Sequence, residues 1–171
     1  MKSKPWVIIV LLTSTIAFGQ SAEESEKMIA LYIEINAPVD SVWERWTTDS
    51  GRKKFFAPSS RYDLTTLGYM EVLFMPQAPE GQRGAENNRV LAVQENKMLS
   101  FTWDAPPQYP DIRKQRTVVI LRFKELAPNK TKVILRHLGF GSGTDWDAVY
   151  NYFTNAWSTF VLPNLKYSLE V

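Results

Sequence analysis

Residues 88–104 read NRVLAVQENKMLSFTWD. In the second half, Leu99, Phe101 and Trp103 alternate with Ser100, Thr102 and Asp104. Side chains along a strand point to opposite faces in turn, so this stretch offers one apolar and one polar face. Asn88–Gln94 and Met98–Asp104 make two strands, and Glu95-Asn96-Lys97 between them suits a tight hairpin. Trp103 therefore faces a core, while Asp104, out of phase with it, is expected on the surface.

The same alternation continues downstream. Val119, Leu121 and Phe123 alternate with Ile120, Arg122 and Lys124 in a strand over Thr117–Glu125. Val133, Leu135 and His137 alternate with Lys132, Ile134 and Arg136 in another over Thr131–Phe140. Pro128-Asn129-Lys130 turns one into the other, which is the preferred reading of the Asn129-Lys130-Thr131 glycosylation pattern. An antiparallel sheet with one apolar face needs a cover. After Gly139, Gly141 and Gly143 break the last strand, Trp146, Val149, Tyr150, Phe153, Trp157 and Phe160 recur at helical spacing. Thr144 is placed to cap that helix with Asp147 three residues on, and Pro163 is expected to kink or end it. No other segment is large enough to cover the sheet.

Upstream, Leu31, Ile33 and Ile35 alternate in a strand over Met28–Asn36. Pro38 opens a helix whose Val39, Val42, Trp43 and Trp46 share one face. Asp49 is placed to cap a second short helix running through Phe55-Phe56. Tyr69–Met75 reads as a strand with Glu71 outward, Pro76–Gly84 as a loop, and Ala105–Lys114, with three prolines, as a second long loop. Strand, two helices, a run of antiparallel strands and one long helix is an α+β order. A curved antiparallel sheet then wraps the final helix, and a gap where the two part suits a ligand pocket.

The N-terminus has the order of a secretory signal: Lys2 and Lys4, an apolar run over Trp6–Ala17, then small Ala17 and Gly19. A signal over 1–19 cut near Gly19, a polar tether over 20–27 and one domain over 28–171 is the expected organisation. It implies export, periplasmic or secreted, with no stable membrane insertion after cleavage. Lys2 and Lys4 are the only charges before Gln20, so the rest carries 18 Lys+Arg against 18 Asp+Glu. That balance gives no basic stripe for nucleic acid. The chain has no cysteine, hence no disulfide framework, and its single histidine completes no metal spacing. No cofactor motif is present.

Three stretches carry a family resemblance. Ile35-Asn-Ala-Pro-Val-Asp-Ser-Val-Trp43 resembles the join of strand one to helix one in the START-like, or SRPBCC, superfamily. Arg89–Trp103 is similar to the hairpin of one branch, the homologues of the activator of the ninety-kilodalton heat-shock chaperone ATPase. Thr131–Gly139 and the Trp-rich final helix resemble its closing elements. The resemblance covers roughly Met28 to Val171. It implies a helix-grip fold with a deep cavity between sheet and C-terminal helix, and it fixes no activity. That chaperone is cytosolic, so with an export signal it is not expected as a partner.

The expected ligand is a small, mainly apolar molecule, bound without catalysis by residues drawn from Trp46, Trp103, His137, Tyr150, Phe153 and Trp157. The aromatics serve equally well as plain core. His137 faces inward, either towards a ligand or hydrogen-bonded at the core's edge. Two other functions remain open at this point. One is a cyclase or isomerase moving protons through His137 and Tyr150 within hydrogen-bond reach. The other is an interaction module using exposed aromatics of the 105–113 loop, chiefly Tyr109. Arg113, Lys114 and Arg116 either meet an acidic headgroup at the cavity mouth or belong to a solvated loop.

Overall fold

The computed structural model describes residues 26–171. The expected signal over 1–19, its cut near Gly19 and most of the tether lie outside the described residues. The strands are β1 (Ile29–Ile35), β2 (Ser59–Tyr62), β3 (Tyr69–Leu73), β4 (Gly84–Gln94), β5 (Met98–Trp103), β6 (Thr117–Ala127) and β7 (Lys130–Leu138). The helices are α1 (Val39–Thr47), α2 (Asp49–Lys53), α3 (Pro110–Arg113), α4 (Thr144–Asn155) and α5 (Leu162–Glu170), with a π-helical segment, Ala156–Val161, joining the last two.

All seven strands form one antiparallel sheet in the order β1-β7-β6-β5-β4-β3-β2. The apolar phases align across it. Ile29, His137, Val119, Phe101 and Val90 make one row, and Leu31, Leu135, Leu121 and Leu99 the next. Most of these side chains are fully buried. Each large one contributes about 1.5–3 kcal/mol relative to exposure. This is the expected α+β, helix-grip arrangement, with the long C-terminal helix against the sheet.

Several local expectations are corrected. β2 was not foreseen, because its sequence, SSRY, has no apolar alternation and it sits at the sheet edge. β4 begins at Gly84, four residues before the expected Asn88. A single turn of helix, α3, interrupts the proline-rich loop, with Pro110 in its first turn. Thr48, not Asp49, caps α2, its Oγ1 accepting from the Gly51 N–H at 3.0 Å. Thr144 is the first helical residue rather than the cap. Gly143, at a φ of 102° that favours glycine, takes the cap position, and no side chain caps the helix.

Pro163 neither ends nor breaks the helix, which continues to Glu170. The wide π turn precedes it, where a tight helix would clash with the proline ring. This turn also resets the phase. Val149, Phe153, Trp157, Val161 and Leu165 are buried at every fourth position, whereas Phe160 is 60% exposed instead of joining the stripe.

Candidate functional site

The paired register of β4 and β5 runs from Gln94–Met98 only as far as Val90–Phe101. Beyond it side chains replace the backbone ladder. Thr102 Oγ1 accepts from the Arg89 N–H at 2.9 Å and donates to Asn88 Oδ1 at 3.2 Å. Asn88 Nδ2 donates to Asp104 Oδ1 at 3.0 Å, and Asp104 Oδ2 accepts from the Glu86 N–H at 3.3 Å. Backbone groups that part from a ladder need such partners when buried. At this end of the sheet lies a cavity of about 240 Å³. At about 30 Å³ for each water-sized group it holds roughly eight of them.

Its walls come from several segments. Phe56 enters from the link between α2 and β2, and Trp103 from the end of β5. Phe153, Ala156, Trp157 and Val161 enter from the helix, and Pro106 and Pro107 from the segment before α3. Phe56 stacks on Trp103 with ring centroids 6.0 Å apart, and Trp157 meets both rings at 6.0 and 5.7 Å. Exposed Phe74, Met75 and Tyr152 complete the lining. Asp104, Arg113 and Gln82 supply its polar part.

Of the six residues expected at the site, Trp103, Phe153 and Trp157 line the cavity. Trp46 does not. It is fully buried behind the wall, edge-on to Phe55 and Phe56 at 5.0 and 5.4 Å, because these two rings come between α1 and the cavity. Tyr150 falls to the flank of the helix, where its ring meets Phe140 edge-on and its hydroxyl points to the Met28 carbonyl at 3.4 Å. His137 also lies behind the wall.

His137 is 0% exposed and its hydrogen bonds fix its state. Trp157 Nε1–H donates to its Nδ1 at 3.1 Å. Thr117 Oγ1 donates to the Trp103 carbonyl at 2.9 Å, so it accepts from His137 Nε2–H at 2.7 Å. The ring is therefore neutral, protonated on Nε2, with both nitrogens occupied. Burial pushes its pKa down to about 3. The expected His137–Tyr150 pair is not formed, since each ring bonds elsewhere. His137 instead ties the two cavity tryptophans together from behind.

Asp104 corrects the sequence reading most strongly. It is 3% exposed, not on the surface, because the strand ends at Trp103 and alternation has no force beyond it. Arg113 Nη1 pairs with Asp104 Oδ2 at 2.8 Å, and Nη2 with Glu86 Oε2 at 3.3 Å. The same guanidinium donates to the carbonyls of Ala105 and Gly84. Arg83 Nε pairs with Glu86 Oε1 at 2.6 Å. Burial lifts the Asp104 carboxyl above its usual value, against the Asn88 hydrogen bond and the Arg113 charge. Burial acts to raise Glu86 too, but hydrogen bonds from Arg83 and from the Gly81 and Arg83 N–H groups hold it below its usual value. Tyr109, expected to be exposed, is half-buried against the core. Lys114 and Arg116 stay exposed, as in the solvated-loop reading.

Sequence reasoning missed Phe56 and Glu86, and it offered Arg113 at the cavity mouth without its carboxylate partners. The bulky Phe55-Phe56 pair was a signal for the first. Glu86 and Arg113 are joined only by the folded chain, and Asn87, next to Glu86 and at a φ of 57°, makes an irregularity in β4 that no period shows.

Among the described residues no group of His, Cys, Asp and Glu can hold a metal ion, and no helix is long and apolar enough to cross a membrane. The family described as activator of Hsp90 ATPase homolog 1-like protein matches residues 36–170. Among curated proteins none matches. Similar solved structures include the protein MLL2253 from Mesorhizobium loti, 20% identical, with a TM-score of 0.66 over 84% of this chain and 96% of that one. An HSP90 activator from Plasmodium falciparum is 15% identical, with a TM-score of 0.65 and the same coverage of both chains, 84% and 96%. The Aha1 dimer from Colwellia psychrerythraea is 21% identical, at 0.63, again over 84% and 96%. Identities this low speak for the fold alone.

Proposed function

The chain belongs to the family of activator of Hsp90 ATPase homolog 1-like proteins, and from that premise we propose that it is a non-catalytic binder of a small, mainly apolar molecule outside the cytoplasm. The observation that carries this reading is the cavity of about 240 Å³ walled by Phe56, Trp103, Phe153 and Trp157. Apolar, aromatic walls with few polar groups are what small-molecule sites use. The polar groups nearby support binding over catalysis. General acid–base chemistry needs a tunable group free to reach substrate. His137 has both nitrogens occupied behind the wall, and Asp104 is held by Arg113, Asn88 and a backbone N–H. The signal-like order of residues 1–19 supports action after export.

The test is native mass spectrometry of the exported protein beside a denatured sample. The reading expects an added small-molecule mass that leaves on denaturation, and loss of that mass in Trp157→Ala. An unliganded mass, together with no uptake of 1-naphthol or n-octanol when these are added, would count against it.

A further inference from the structure

Residues 106–116 form one wall of the cavity, through Pro106, Pro107, Gln108 and Arg113. The chain before Gly84 also lines it, through Phe74, Met75 and Gln82. The first segment is held to the rest of the molecule in an unusual way. Its backbone hydrogen bonds are internal: Tyr109 N–H to the Pro106 carbonyl, Arg113 N–H to Tyr109, and Gln115 N–H to Ile112. Lys114 pairs with Asp111, and Arg116 donates to the Arg113 carbonyl, so these ties are internal as well. Among the described residues, every hydrogen bond from 106–116 to the rest of the chain comes from the Arg113 guanidinium.

Those bonds join two strand ends beside the cavity. One arm of the fork reaches Gly84 and Glu86 at the start of β4, and the other reaches Asp104 and Ala105 at the end of β5. Gly84 has a φ of 145°, and a Cβ there would stand 2.4 Å from the Val72 carbonyl oxygen. Its own carbonyl is thus presented to Arg113 from a backbone that only glycine adopts without strain. Charged, forked hydrogen bonds are directional and break together when the geometry is lost. Apart from them, 106–116 is held by packing alone, chiefly through buried Ile112 and half-buried Tyr109.

We infer that Arg113 is a positioning residue for the ligand site: it clasps the 106–116 segment across the splayed ends of β4 and β5, and release of this clasp opens the cavity. This rests on the binding reading above for its purpose, but not for its test. With the clasp in place the cavity takes small molecules, and the clasp sets that limit. Loss of the clasp widens it.

Hydrogen exchange of the unliganded protein tests the clasp directly. In Arg113→Met, amides of 106–116 are expected to exchange about tenfold faster or more, from the loss of charged hydrogen bonds, through local opening, while β6 and β7 change only as far as the fall in global stability carries them. Arg113→Lys, which keeps the charge but not the fork, is expected to fall between. Unchanged exchange in 106–116, or acceleration spread evenly through the sheet, overturns the inference. If Arg113→Met fails to fold, Arg113→Lys carries the same comparison. A parallel titration of n-octanol and n-dodecanol against tryptophan fluorescence separates the two claims. Wild type is expected to favour octanol, and Arg113→Lys to gain affinity for dodecanol. If neither alcohol binds either protein, the binding reading fails, while the exchange result still decides the clasp.

Discussion

Two buried polar networks lie beside the same cavity, and they are built from opposite materials. Behind the helix-side wall, Trp157, His137, Thr117 and the Trp103 carbonyl form a neutral relay. At the mouth, Arg83, Glu86, Arg113 and Asp104 form an ionic one. The neutral relay sits where β5, β6 and β7 are still paired, at Trp103, Thr117 and His137, each of them buried and each donor meeting one acceptor. Such a network adds order at little desolvation cost. The ionic cluster sits where the strand ladder has parted and carbonyls need donors. There, charges are desolvated and the guanidinium must reach four acceptors at once, so loss of one member leaves the others exposed to a large penalty. The difference separates a fixed wall from a wall that opens.

The largest expected effect tests the ionic side. Arg113→Met leaves Glu86 and Asp104 buried without their shared partner, and stability in urea should fall by about 3–5 kcal/mol. A loss below about 1 kcal/mol would mean the cluster is effectively solvated.

His137→Leu comes next. It keeps the volume close but leaves Trp157 Nε1–H without an acceptor, at a cost of about 1–3 kcal/mol. The same variant sharpens the contrast in pH. His137 has its pKa depressed by burial to about 3 from 6.5, so the unfolded chain takes up its proton first as pH falls. The stability that neutral His137 contributes is therefore complete above about pH 6.5 and is lost progressively from there towards pH 3. Urea midpoints of wild type should decline between pH 6.5 and 5, and His137→Leu should flatten that decline. An equal slope in both proteins would remove the neutral histidine from the account.

The smallest effect distinguishes the two carboxylates. Glu86, held below its usual value, contributes stability above about pH 4.5 that is lost as pH falls further. Asp104, lifted above its usual value, has the opposite sign, its contribution diminishing as pH rises through that shifted value. Glu86→Gln should thus cost about 1–3 kcal/mol at pH 7, and Asp104→Asn less. The reverse ranking, read from urea titrations, would invert the assignment of the two.

The same two regions show what the sequence disclosed. In the neutral relay, His137 and Thr117 lie on paired strands and Trp157 on the π-helical segment of the final helix. His137 and Trp157 were assigned inward because strand and helix periods reach them, although their partnership was not foreseen. The helix period failed at Phe160, since a π turn adds to the repeat without marking the sequence. The ionic cluster lies where periods stop: Asp104 follows the last paired residue of β5, and Arg113 sits in a proline-rich loop. A buried charge there is set by partners distant in the chain, which alternation does not register. Export and most of the tether rest on residues 1–25, outside the described region.

The central claim is that the aromatic cavity is the functional site, and filling it tests this most directly. Ala156 lines the cavity from the helix, and Ala156→Phe places a ring in the space while every side chain of the two polar networks is kept. Binding of n-octanol, followed by tryptophan fluorescence, should be seen in wild type and lost in Ala156→Phe, while the variant keeps the wild-type circular dichroism spectrum. Undiminished binding in a folded Ala156→Phe protein would contradict the account and place the ligand elsewhere.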